Sequence, residues 1–151
     1  GGHLGEMERT AIAHSCRRGG GGSLPREPGR VYAGYAPILS IVDLGAQREG
    51  RMRLKWINRA VNMTVRPVSD WVQYGYGDFW SSPLQTLGSG AGDCQDYAIV
   101  KYVALRGLRI PADDLRLIVV QDEKRETGHA AVAVSLRATL ANPGQSNNGH
   151  P

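Results

Sequence analysis

The stretch Gly92-Asp93-Cys94-Gln95-Asp96-Tyr97-Ala98-Ile99-Val100-Lys101-Tyr102-Val103-Ala104-Leu105 decides how this chain reads. Asp93 is a helix-capping residue type, and Asp96 stands three positions later, where an acid favours a helix start. From Tyr97 to Leu105 every residue except Lys101 is apolar or aromatic. A helix apolar nearly all round is a central helix, and Gly107 with Pro111 closes it.

Working downstream, Leu115-Arg116-Leu117-Ile118-Val119-Val120 is rich in branched residues and predicts a strand. The polar loop Gln121 to Gly128 joins it to a second strand, His129 to Leu136, and the two predict an antiparallel hairpin. Upstream, Ser82 as N-cap, Pro83 at the first helical position and Gln85 three residues after the cap predict a short helix that Gly88 stops. Further upstream, Leu54, Ile57, Ala60 and Val61 form the stripe of a helix that Pro67 must end. Helices first and an antiparallel sheet after them define an α+β class.

The ends read differently. Gly19 to Gly22 and Pro25, Pro28 and Pro37 break any regular pattern, so residues 1–48 are expected to form a poorly ordered arm. Within it Ile38 to Leu44 is apolar, and its periodicity does not separate strand from helical turn. Residues 49–141 are expected to form the folded core. Residues 142–151 contain no apolar side chain other than prolines and are expected to be a disordered tail.

Composition narrows the functional classes. The chain has 151 residues, one domain by length, with ordinary hydrophobic content (41%) and charge (21%), and no apolar run long enough to span a bilayer. The net charge of +4 comes mostly from arginines in the N-terminal third that are not interleaved with aromatics, so nucleic-acid binding is not expected. The first residues, Gly1-Gly2-His3, show no signal-peptide pattern and no initiator Met. Only Cys16 and Cys94 occur, and both are read as free thiols because a bridge would consume the proposed nucleophile.

The chemistry centres on Cys94. A thiol attacks as its thiolate, and the unpaired N–H groups of a helix start favour that anion. Gly92 lets a substrate approach the backbone, and the N–H groups of the turn are candidates for an oxyanion hole. A buried structural cysteine is the competing reading, weakened by the polar neighbours Asp93, Gln95 and Asp96. Of the four histidines, His129 begins a predicted strand, whereas His3, His14 and His150 lie in the arm and tail, so His129 is the candidate base.

The segments Arg66-Pro67-Val68-Ser69-Asp70, Asp78-Phe79-Trp80-Ser81-Ser82-Pro83-Leu84, Gly92-Asp93-Cys94-Gln95-Asp96-Tyr97 and His129-Ala130 resemble the bacterial transglutaminase-like cysteine peptidases. The resemblance covers roughly residues 54–136. It implies a papain- or transglutaminase-like fold and thiol-dependent peptide hydrolysis, with Cys94 as nucleophile and His129 as base. It also implies a protein substrate such as a surface adhesin, a regulatory membrane protein as partner, and a periplasmic or exported location in a bacterium that forms biofilm. Trp80 is expected to line the cleft. Asp93 and Asp96 match calcium-binding positions, although Gln95 stands where Glu is more usual, and no organic cofactor is implied.

The family's triad ends in an Asp on a further strand, a window that falls on Gly144 to Ser146 here and holds no carboxylate. Asn142 is the nearest substitute for orienting the imidazole. The change of composition after Leu136 reads as truncation or a shifted frame, leaving the sheet incomplete. A catalytically impaired member, or an enzyme that transfers the acyl group to an amine, are therefore the alternatives to a working hydrolase.

Overall fold

The computed structural model describes residues 8–13, 33–124 and 127–136. In chain order the elements are β1 (Glu8–Ala13), α1 (Tyr35–Ala46), α2 (Gly50–Thr64), β2 (Arg66–Pro67), α3 (Asp70–Tyr74), α4 (Pro83–Ser89), β3 (Ala91–Gly92), α5 (Cys94–Gly107), a 3-10 turn (Ala112–Asp114), β4 (Leu115–Asp122) and β5 (Thr127–Leu136). The class is α+β, with the helices packed around α5 and α5 laid against an antiparallel sheet.

The local signals produce the elements expected of them. Leu54, Ile57 and Val61 are the buried stripe of α2, which stops at Thr64, ahead of Pro67. Ser82 caps α4 by accepting from the Gln85 N–H at 3.2 Å, and Pro83 occupies the first helical position. The stop differs. Gly88 lies inside the last turn, and Gly90 adopts the left-handed conformation that ends the helix (φ 64°).

α5 is the centre of the molecule. Tyr97, Val100, Ala104 and Leu105 are fully buried, and Ala98 nearly so, in a cluster with Ile41 of α1, Ile57 and Val61 of α2, and Val132 and Val134 of β5. Lys101 is fully buried in the same helix, and its Nζ has no hydrogen-bond partner among the described residues. Burial lowers its pKa to about 8, because the charged ammonium loses its hydration.

The larger sheet has the order β1-β5-β4. β4 and β5 form the expected hairpin, with Leu115 opposite Val134 and Asp122 opposite Thr127, so the ladder extends further toward the turn than the predicted loop allowed. Ala130, Val132 and Val134 are buried, whereas Thr127, His129, Ala131 and Ala133 are half-buried, so alternate residues of β5 face α5.

Two elements fall inside the stretch 1–48 that composition assigned to an arm. α1 is a twelve-residue helix that buries Ile41 against the core. Ile38 and Val42 pack beside it, so the apolar segment between Pro37 and Leu44 is helical, one turn of its surface facing α2 and α5. β1 pairs along its backbone with β5, from Glu8 opposite Leu136 to Ala13 opposite Ala131. The packed body therefore begins before residue 49. β5 has neighbours on both sides, so the place beside it where a later strand was expected is taken by a strand from the N-terminal region. The expected tail, 142–151, and Asn142 within it lie outside the described residues.

Candidate active site

Three short segments meet at the first turn of α5. The parallel pair β2–β3 brings the end of α2 beside the segment that precedes Cys94, with the Arg66 N–H donating to Gly90 O at 2.8 Å and the Val68 N–H to Gly92 O at 2.9 Å. Pro67 has no N–H and sits between those donors without breaking the pair. The Tyr97 hydroxyl donates to Val65 O and ties the same corner from the other side. A side chain at Gly92 is excluded, because a Cβ there would stand 2.7 Å from Asp96 Cβ and Oδ2.

Asp93 and Asp96 form a reciprocal cap. Asp93 Oδ1 accepts from the N–H groups of Gln95 (2.9 Å) and Asp96 (3.2 Å), while Asp96 Oδ2 accepts from the Asp93 N–H (3.2 Å). These N–H groups are thereby committed to the cap, so the expectation that the turn supplies an oxyanion hole does not extend to Gln95 and Asp96. Asp96 Oδ1 also accepts from the Ser81 N–H at 3.0 Å.

A third carboxylate joins them. Asp70, at the start of α3, is buried, and its Oδ2 accepts from the Phe79 N–H at 2.6 Å. One oxygen from each of Asp70, Asp93 and Asp96 lies within 4.8 Å of the others. Burial raises the pKa of Asp70 to about 6, with the charges of Asp93 and Asp78 adding to it against the Phe79 N–H. Burial also raises Asp96 to about 7, helped by the Asp93 charge and opposed by its backbone donors, and it raises Asp93. Sequence reading placed Asp93 and Asp96 together but had no local signal linking them to Asp70.

Cys94 is buried, 6% exposed, and its Sγ lies 3.9 Å from Gly128 O at the start of β5. The reading of Cys94 as a free thiol is corrected here, because its sulfur is in a disulfide. Cys16, the other cysteine of the sequence, lies outside the described residues. His129 directly follows the residue that Cys94 touches. Its ring, however, is on the half-buried face of β5 with Thr127, whose Oγ1 is 3.5 Å from Nε2. The backbone thus brings the two positions together, while strand alternation directs the imidazole away from the face that packs on α5.

Trp80 is 48% exposed. It lies in a loop tethered to the first turn of α5 at two points, through the Ser81 N–H on Asp96 and through Gln95 Nε2, which donates to Asp78 Oδ1 at 2.9 Å. Asp78 is held at positive φ (65°), a conformation that Asp tolerates better than most residues.

With this geometry in view, the chain can be compared with known proteins. Residues 40–139 match the family of bacterial transglutaminase-like cysteine proteinases, more than half of the chain, and the protein belongs to that family. No curated protein sequence matches it. Among solved structures it is similar to calcium-bound LapG of Legionella pneumophila, at 20% identity and a TM-score of 0.41, over 66% of each chain. EGTA-treated LapG gives 20% identity and a TM-score of 0.41, over 67% of this chain and 65% of that one. The chain thus spans just under two thirds of the length of these LapG structures.

Proposed function

We propose that this protein, once its Cys94 disulfide is reduced, is a thiol peptidase acting on a protein substrate, with Cys94 as nucleophile and His129 as base. The observation that carries the reading is the position of Cys94 at the first residue of a buried, doubly capped helix, its sulfur against the residue before His129. The thiolate attacks the scissile carbonyl, and the imidazolium gives its proton to the leaving amine. Water then hydrolyses the thioester, with the same imidazole removing its proton. The base must come within about 3 Å of the proton it moves, and resting geometries are often looser. Here the ring must turn from Thr127 toward the sulfur. The family supports a protein substrate, a surface adhesin being the class implied by the resemblance, along with a periplasmic setting and a regulatory membrane protein. Among the described residues no helix is long and apolar enough to cross a membrane.

The carboxylate cluster fits a hard cation. Its donors are all oxygens, and the buried Asp70 Oδ1 has no hydrogen-bond partner among the described residues. Asp70, Asp93 and Asp96 would hold calcium, whose charge would offset the burial and, after it, the neighbouring carboxylate charges that raise their pKa values. The chain's own groups then fix the first turn of α5, and with it the direction of the Cys94 sulfur.

One observation favours a second reading, a catalytically impaired member of the family. The His129 ring sits on the face of β5 turned away from α5. The two readings separate in one experiment. The reduced, desalted protein is treated with iodoacetamide, labelling at Cys94 and Cys16 is followed by mass spectrometry, and hydrolysis of a denatured protein substrate is measured alongside. A working peptidase shows Cys94 labelled faster than Cys16 and hydrolysis that Cys94→Ala and His129→Ala both abolish. Fast labelling without hydrolysis establishes the impaired member. Equal labelling of both cysteines removes the claim that Cys94 is activated.

A further inference from the structure

The outer strand of the larger sheet is composed like an inner one. Among the described residues β4 has a strand neighbour on one side only, β5, and so forms an edge. Edge strands that face water normally alternate apolar with polar residues, or carry a proline, a lysine or a bulge that prevents further pairing. The run Leu117-Ile118-Val119-Val120 has no such guard, and all four residues are exposed, from 36% to 59%. Both faces of the strand are involved. Leu117 and Val119 stand opposite the buried Val132 and Ala130, whereas Ile118 and Val120 stand opposite the half-buried Ala131 and His129. A covering helix would satisfy one face, but a further strand extends both rows of side chains and also pairs with the open backbone edge.

The charges at the two ends of the strand select its occupant. Arg116 stands at the start, held there by Nη1 donating to Asp113 O at 3.1 Å and to Leu115 O at 2.8 Å, and Asp122 closes the strand in sequence. A twofold axis through Val119, perpendicular to the sheet, pairs β4 with its own copy in the antiparallel sense. Arg116 of each copy then stands opposite Asp122 of the other, Ile118 opposite Val120, and Val119 opposite itself. The neighbouring symmetric registers are unfavourable. An axis at Ile118 sets Asp122 against Asp114, and one at Val120 sets Arg116 against Lys124, like charges in both cases. We propose that β4 is a self-association edge, on which a second copy of this chain pairs antiparallel about Val119 to make one sheet continuous across both copies. An edge of eight residues is small beside the roughly 1,200–2,000 Å² that stable complexes bury, so the dimer is weak and depends on concentration.

The test is sedimentation velocity of the intact chain across micromolar concentrations, with any disulfide-joined species removed beforehand. The wild-type chain is expected to show a monomer–dimer equilibrium. Val119→Lys sets two ammonium groups face to face on the axis and is expected to leave only monomer, while its melting temperature, at a position already more than half exposed, stays close to that of the wild type. Arg116→Asp and Asp122→Arg each place like charges opposite one another at two points, and each is expected to weaken the dimer about tenfold. The two substitutions together are expected to restore it, an outcome that a merely structural role of either residue does not produce. A dimer that survives Val119→Lys lies on another surface and overturns the proposal. Failure of the double variant to recover overturns the register. A wild-type chain that stays monomeric overturns the self-association edge outright: slow hydrogen exchange of the β4 amides would then assign the edge to a segment of this chain outside the described residues, and fast exchange would leave it open to water.

Discussion

The first and second turns of α5 each bury an ionisable group completely, and they treat it in opposite ways. Asp96, in the first turn, accepts hydrogen bonds on both carboxylate oxygens, from the Ser81 and Asp93 N–H groups. Lys101, little more than a turn later, has its ammonium among apolar neighbours, with the Tyr97 ring 5.6 Å away and no hydrogen-bond acceptor among the described residues. Burial penalises both charges, raising the Asp96 pKa to about 7 and lowering that of Lys101 to about 8, but only Asp96 has hydrogen-bond partners for its polar atoms among the described residues. The front of the helix is thus organised around its polar group, whereas the back is organised despite one.

The difference can be broken most severely at the front. Asp96→Ala strands the N–H groups of Ser81 and Asp93 and loosens both the cap and the loop that carries Trp80. A loss of about 3 kcal/mol or more in denaturant unfolding is expected, from the cost of leaving buried donors unsatisfied. A loss under about 1 kcal/mol would show that water replaces the carboxylate there. A slightly smaller effect is expected from the cation. Calcium at a hundredfold excess over its dissociation constant should stabilise the protein by about 2.7 kcal/mol. Asp70→Ala together with Asp93→Ala should erase the accompanying rise in melting temperature. No shift at millimolar calcium would return all three carboxylates to capping and hydrogen bonding.

At the back of the helix the sign reverses. Lys101→Met keeps the length of the side chain and removes the unsolvated charge, so it should stabilise the protein at pH 7 by roughly 1–3 kcal/mol. The folded-state pKa is depressed to about 8 from 10.5, so the penalty is full below about 8 and fades as the pH rises toward 10.5. Melting curves of the two proteins should therefore converge across that window. Curves that stay parallel would mean that packing, not charge, separates them. The smallest effect belongs to α4, where Ser82→Ala removes one capping bond at an exposed position and should cost about 1 kcal/mol.

These contrasts also explain what was legible in the sequence. Ser82-Pro83, the Asp93–Asp96 pair, the stripe of α2 and the β4–β5 hairpin were all readable because their causes act within a few residues. Asp70 was not recognised as a partner of Asp93 and Asp96, because only the pairing of β2 with β3 and the fold of the intervening loop bring it there. The arm reading failed for Tyr35–Ala46 because nearby glycines and prolines outweighed a short apolar face whose partners, Ile57 and Leu105, lie far along the chain. Sequence also placed Cys94 and His129 in one site by motif alone. The structure brings the Cys94 sulfur against Gly128, the residue before His129, and leaves the imidazole ring on the other face, since the direction of a side chain on a strand follows register, and register was not readable.

The pairing of β1 with β5 has a consequence for the order of events in folding. Glu8 is opposite Leu136, so nearly the whole described chain lies between the two partners of a single rung. The hairpin of β4 and β5 closes over a few residues and forms quickly, whereas β1, the first of the described strands to be synthesised, must wait for β5, the last of them. The entropy of closing so long a loop rises only slowly with its length, so the delay costs time far more than it costs stability. Until β5 arrives, β1 is a strand without a template, and a chain held at that stage exposes two open edges where the finished sheet joins them.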